Sequence, residues 1–153
     1  MTGAVQSFIS TINATLDGKG RVCIPANYRQ ILAAQNTLGV YVCPSFSENA
    51  LECFGLDVLQ VFHGKQAALD PFFAPDHDDR AFAVLSLTQL LPTDENGRVR
   101  LPDDMIAHAG LKDRVSFVGL GTKFQIWEPE KLLAYRAERL ARARVIRTEG
   151  TVL

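Results

Sequence analysis

Lys19 and Arg21 stand on either side of Gly20 in a tight turn, and Arg98 follows Gly97 in a second turn of the same kind. A glycine at the tip lets the chain approach a nucleic-acid backbone closely, and the cations beside it can contact phosphates or guanine edges. The two settings are near copies. Asp17-Gly-Lys-Gly-Arg-Val-Cys-Ile-Pro25 returns as Asp94-Glu-Asn-Gly-Arg-Val-Arg-Leu-Pro102, at a constant offset of 77 residues (21 to 98). Self-similarity at a fixed period marks a duplicated supersecondary unit. In a single copy, Asp17 and Arg21 would be read as a local ion pair closing their own turn; recurrence of Gly-Arg in the same setting favours a binding role. The second copy is electrostatically poorer, because Arg98 and Arg100 share 94–104 with Asp94, Glu95, Asp103 and Asp104. The first loop is expected to supply more of the binding energy. Lys19, Arg21, Arg98 and Arg100 are thus the candidate DNA-binding residues, with Arg29 nearby in the following helix.

Other chemistries are weakly represented. Gly18-Lys-Gly20 and Gly119-Leu-Gly121 each lack the third glycine and the immediate helix of a dinucleotide fingerprint. His63, His77 and His108 fall on separate elements, and neither they nor Cys23, Cys43 and Cys53 have zinc-site spacing. No metal site, cofactor or catalytic residue is expected, although a Cys–His pair using Cys23 or His108 would revive an enzymatic reading. An odd number of cysteines, all in strand-like runs, predicts reduced and buried thiols, Cys23 included. Phe72-Phe73 and Trp127 are read as core or interface aromatics. The final helix carries Lys131, Arg136, Arg139, Arg142, Arg144 and Arg147 against Glu130 and Glu138; a solvated basic face is preferred there to a nucleic-acid or membrane site.

The elements that must position the turns follow from pattern. The β-branched run Phe8–Leu16 predicts a strand, and Arg21–Ile24 a short strand returning from the turn as a hairpin. Pro25 suits a first helical residue, with Ala26–Ala34 as the helix. Val40–Cys43 and Ala50–Phe54 pair as strands around the polar loop 44–49. Leu56, Leu59, Val61, Phe62 and Leu69 predict an amphipathic helix over 56–69. After the loop Asp70–Pro75, Asp76 or Asp78 is expected to cap a helix reaching Leu87. The second half repeats this order: a strand over 90–93, the turn 94–97, a strand over 98–101, a helix from Pro102 closed by Gly110, strands over 114–120 and 123–127, and a helix over 129–147. The units span 8–70 and 76–147.

The chain has 153 residues, an apolar fraction of 47% and a formal net charge of −1. That is enough to build a core, and too little positive charge for an indiscriminate nucleic-acid coat; binding charge must be confined to one face. Met1–Gln6 lacks the features of a signal peptide, and Ala81–Leu87 is too short to span a membrane. A soluble cytoplasmic protein is expected.

Residues 16–25 and 94–102 resemble the doubled Asp-x-Lys-Gly-Arg and Asp-x-x-Gly-Arg signature of the bacterial MraZ family. The resemblance runs from about Phe8 to about Arg139 and includes Phe-Gln-Ile-Trp127. It implies an α+β fold of two tandem SpoVT/AbrB-like units forming a pseudo-dimeric swapped-hairpin β-barrel with flanking helices. It further implies a ring homo-oligomer regulating the division and cell-wall gene cluster. Such a ring binds short direct repeats of double-stranded DNA in the upstream promoter, which would make the protein nucleoid-associated. The DNA role carries onto Lys19, Arg21 and Arg98, while Asn96 matches Lys19 and keeps hydrogen bonding without charge. No enzyme activity, cofactor, small-molecule substrate or membrane partner is implied. The alternative is a protein-binding or scaffolding ring that does not touch DNA, which the acidic second loop favours.

Overall fold

A computed structural model describes residues 6–148. Among these residues are eight strands and five helices, in the order β1 (Thr11–Thr15), β2 (Arg21–Cys23), α1 (Ala26–Ala34), β3 (Val40–Pro44), β4 (Leu51–Phe54), α2 (Leu56–Ala67) and α3 (His77–Arg80). A π-helical turn (Ala81–Leu85) follows, then β5 (Gln89–Leu91), β6 (Arg98–Arg100), α4 (Asp103–Ala109), β7 (Arg114–Gly119), β8 (Phe124–Trp127) and α5 (Pro129–Thr148). The fold is α+β, with antiparallel strand pairing throughout.

The strands interleave the two halves. One six-stranded sheet has the order β1-β7-β8-β4-β3-β5, and β2 pairs with β6 in a separate two-stranded ribbon. Reading β5 for β1, β3 for β7 and β4 for β8 returns the same order, so the two halves of the sequence occupy equivalent places. The local hairpin expected of 8–24 is accordingly corrected. The arm before the first turn pairs with β7 (Thr11 opposite Val118, Thr15 opposite Arg114), and the arm after it pairs with β6. The expected pairs β3–β4 and β7–β8 do form, and β4 also meets β8, Leu51 opposite Ile126.

Repeat-equivalent residues fill one core: Val22 and Val99, Ile24 and Leu101, and Tyr28 and Met105 are all essentially inaccessible. Phe8, Tyr28, Phe117 and Phe124 form an aromatic cluster, with ring centroids 4.8 Å apart for Tyr28–Phe124 and 4.9 Å for Phe8–Phe124. Tilted and edge contacts of this kind add to area burial. The Tyr28 hydroxyl donates to the Ile9 carbonyl at 2.8 Å, with the Ser10 carbonyl 3.0 Å away as the alternative acceptor, fastening the chain that enters β1.

Several sequence expectations are corrected. Pro25 flanks α1 with φ −52° and ψ 140° instead of being its first helical residue. The amphipathic helix expected over 56–69 forms as α2, with Leu56, Leu59 and Phe62 half-buried; Val61 departs from the stripe at 60% exposed, and Gln66 is the helix's fully buried residue. Asp76 precedes α3, yet neither it nor Asp78 makes a side-chain cap bond, and the helix continues as a π turn. Gly110 closes α4 in the left-handed conformation, φ 62°, as its position predicts. Trp127 is buried, whereas Phe72 and Phe73 lie outside the core.

Phe124 joins β8 to both Phe8 and Tyr28. Phe124→Ala is expected to cost about 3–5 kcal/mol, the usual toll for emptying an aromatic core site. The measurement is a reversible chemical melt; a midpoint equal to that of the wild type would refute this packing.

Candidate nucleic-acid interface

The two glycine turns are built alike, atom for atom. In the first, Asp17 Oδ1 accepts from the backbone N–H of Lys19 and of Arg21, both at 2.9 Å. In the second, Asp94 Oδ1 accepts from Asn96 at 2.8 Å and from Arg98 at 2.9 Å. The backbone closes the same way, with Asp17 N–H donating to the Arg21 carbonyl at 3.0 Å and Asp94 N–H to the Arg98 carbonyl at 2.8 Å. Gly20 and Gly97 both take φ +78°, a conformation that disfavours any residue with a Cβ. Asp is required because its short carboxylate reaches its own downstream amides.

The arginines are held by the same carboxylates. Arg21 Nε donates to Asp17 Oδ2 at 2.8 Å, and Arg98 Nε to Asp94 Oδ2 at 3.3 Å. The local ion pair foreseen at Asp17–Arg21 therefore exists, in both copies. It does not bury the cation: the two arginine side chains remain 32% and 34% exposed. A carboxylate bonded through Nε fixes the side chain's direction and leaves its outer nitrogens for a second partner.

The ribbon brings the turns together. Arg21 lies opposite Arg100, Val22 opposite Val99, and Cys23 opposite Arg98. Strand alternation turns Val22 and Val99 inward and the flanking residues outward. Cross-bonds complete it: Ile24 N–H donates to the Gly97 carbonyl at 2.9 Å, Leu101 N–H to the Gly20 carbonyl at 2.8 Å, and Arg100 Nε to the Lys19 carbonyl at 3.2 Å. Lys19, Arg21, Arg98 and Arg100, separated in sequence, thus share one edge of the molecule.

Two residues differ from their sequence reading. Cys23 is exposed, not buried, because it is the outward position of a three-residue strand; its thiol lies 3.7 Å from the Asn96 carbonyl. Cys43 and Cys53 are buried, and burial raises both thiol pKa values. Arg29, expected beside the first turn, reaches the second: its Nε donates to the Ile24 carbonyl at 3.0 Å, and its guanidinium packs so closely on Gly97 that a Cβ there would lie 2.6 Å from Cζ. The repeat-equivalent contact at Gly20 is made by Ile106, so α1 lends the second turn a cation that α4 does not return. No local signal could have placed Arg29, since the contact depends on the exchange of strands between halves.

Relatives align over nearly the full length. A protein of Xanthobacter autotrophicus named "Transcriptional regulator MraZ" is 41% identical over 143 residues, covering 94% of this chain and 90% of that protein. Proteins of the same name from Azorhizobium caulinodans and Rickettsia bellii are 39% identical over 143 residues (94% and 90% covered) and 34% identical over 142 residues (92% and 94% covered). The chain belongs to the MraZ family. A family model described as "MraZ protein, putative antitoxin-like" matches residues 85–148. Among the described residues, no helix is long and apolar enough to cross a membrane.

Both turn carboxyls titrate below their ordinary 3.8, chiefly because of the backbone amides of Arg21 and Arg98 respectively. A carboxyl lowered on folding stabilises at pH above its unfolded value and loses that contribution as pH falls through its folded value. The melting difference between the wild type and an Asp17→Ala/Asp94→Ala chain should therefore be constant above about pH 5 and shrink below about pH 4. A difference independent of pH would show that the carboxylates do not hold the turns.

Proposed function

We propose that this member of the MraZ family is a transcriptional regulator that binds double-stranded DNA sequence-specifically through its two Gly-Arg turns. Lys19, Arg21, Arg98 and Arg100 form the contact surface. The carrying observation is the β2–β6 ribbon, which sets four cations from distant parts of the chain on one edge, with Asp17 directing Arg21 and Asp94 directing Arg98. Preset arginines suit guanine edges and phosphates, because little side-chain freedom remains to be lost on binding. The names of the relatives agree with this role.

In this reading the units 8–70 and 76–147 are tandem SpoVT/AbrB-like repeats, and their exchange of strands is the swapped-hairpin barrel of that group. The symmetric strand order supports it. The protein acts as a ring, engaging short direct repeats upstream of the division and cell-wall genes, in the cytoplasm at the nucleoid, and carries no catalytic activity. Assembly answers the low net charge: each subunit contributes a modest contact, and linked contacts multiply. Exposed Phe46 and Phe82, with half-buried Phe62, line an apolar groove, a surface more often found at interfaces than on free monomers.

The acidic second turn, where Asp94 and Glu95 face solvent, favours the rival scaffolding ring. The experiment that separates them is a binding series on the chain's own upstream DNA. Arg21→Ala should weaken specific binding by about 1–3 kcal/mol for each engaged loop while leaving the mass in solution unchanged. Wild-type binding should weaken steeply with salt. Undiminished affinity in Arg21→Ala, or no shift by the wild type, would sink the reading.

A further inference from the structure

Two phenylalanines stand in solvent on a braced turn. Between α2 and α3 the chain reads Asp70-Pro-Phe-Phe-Ala-Pro-Asp76, and Phe72 and Phe73 are each 86% exposed. The turn has a framework of its own: Asp70 Oδ1 accepts from the backbone N–H of Phe72 at 2.8 Å and of Phe73 at 2.9 Å. Ala74 N–H donates back to the Asp70 carbonyl at 3.3 Å, and the buried Gln66 side chain donates to the His77 carbonyl at 2.8 Å. Adjacent aromatic rings held outward by such bonds have the form of a docking anchor: large area, little entropy left to lose. Asp76, Asp78 and Asp79 follow, with Arg80 as the one arginine or lysine in 70–80, so the anchor sits in an acidic setting.

A concavity of opposite character lies between α5 and the sheet. Val118, Leu120, Leu132 and Tyr135 give it apolar walls, Arg136 and Arg139 add positive charge, and its volume is about 440 Å³. Arg136 donates from Nη2 to Thr11 Oγ1 at 2.9 Å; Arg139 lies over the Tyr135 ring and donates to its hydroxyl at 2.6 Å. Among the described residues neither arginine pairs with a carboxylate, whereas Lys123 in the same wall is already paired to Glu52 at 2.8 Å. Leu120 is 50% exposed at this site.

We infer that the Phe72–Phe73 turn of one copy seats in the α5–sheet cavity of a neighbouring copy, with its aspartates facing Arg136 and Arg139. Rings enter an apolar cleft, and the acidic segment beside them, with Asp76 closest in sequence and Asp78 shared with His77, meets two arginines that among the described residues pair with no carboxylate. The groove lined by Phe46, Phe62 and Phe82 is a poorer seat, because it carries both Asp79 and Arg80 and offers an acidic turn no net attraction. Anchor and socket are different surfaces, so the contact is head-to-tail and propagates until it closes. This rests on the assembly part of the proposed function and names its seam.

The test reads mass in solution without DNA, by size-exclusion chromatography with light scattering. A Phe72→Ala/Phe73→Ala chain should melt as the wild type does, since both rings are exposed, yet need about a hundredfold or more higher concentration to assemble. Placement is read by cross-linking in a Cys23→Ser background. Mixed Phe73→Cys and Leu120→Cys chains should form an intermolecular disulfide faster than either chain alone. Full assembly of the double-alanine chain, or no preference for the mixed disulfide, overturns the seam while leaving DNA binding by Arg21 untouched. A wild-type chain that is monomeric yet shifts DNA overturns both the seam and the ring, and spares the reading head.

Discussion

The structure depends on the pairing of β2 with β6. Val22 and Val99 meet across that ribbon at the centre of the core, and each half of the chain supplies only one of its two strands. The backbone bonds from Ile24 to Gly97 and from Leu101 to Gly20 then place each turn's glycine carbonyl under the other half's strand. Each turn is closed by its own aspartate, but its place over the core is set by the other half. Two loops 77 residues apart become one surface because the hydrophobic pair beneath them cannot be buried in any other register: a slip of one residue would turn Val22 outward and Arg21 inward.

Above that pair, one carboxylate per turn does two things. Its Oδ1 satisfies backbone amides that the tight turn leaves without partners, and its Oδ2 directs an arginine. Local closure and the outward aim of a cation are therefore parts of one arrangement. The copies are equal in backbone and unequal in charge. Lys19 has Asn96 as its counterpart, but Arg29 lies against Gly97 where Ile106 lies against Gly20. The second turn recovers from the first half a cation that its own segment lacks.

Much of this was legible in the residues. The turns, the strands flanking them, α1, α4 and Gly110 follow from short-range chemistry: Asx bonding, positive φ and periodicity. Partner choice was not legible, since an antiparallel arm returning from a tight turn looks the same whether it pairs with its own hairpin or with a copy of it. The position of Arg29 was hidden for the same reason. Cys23 was misread because a three-residue strand offers too few positions to show which face is buried. The α2 stripe was legible except at Val61, which periodicity alone could not tell from its half-buried neighbours Leu59 and Phe62. Phe72 and Phe73 raised both a core and an interface reading; only their exposure on the Asp70 turn separates the two.

Hydrogen–deuterium exchange on the full chain in solution, with and without duplex DNA from its own upstream region, tests the central claim most directly. The account predicts new protection concentrated in peptides spanning 17–24 and 94–101, appearing in both at the same DNA concentration. Protection confined to α5, or to one turn while the other exchanges as before, would contradict a single reading surface built from two copies.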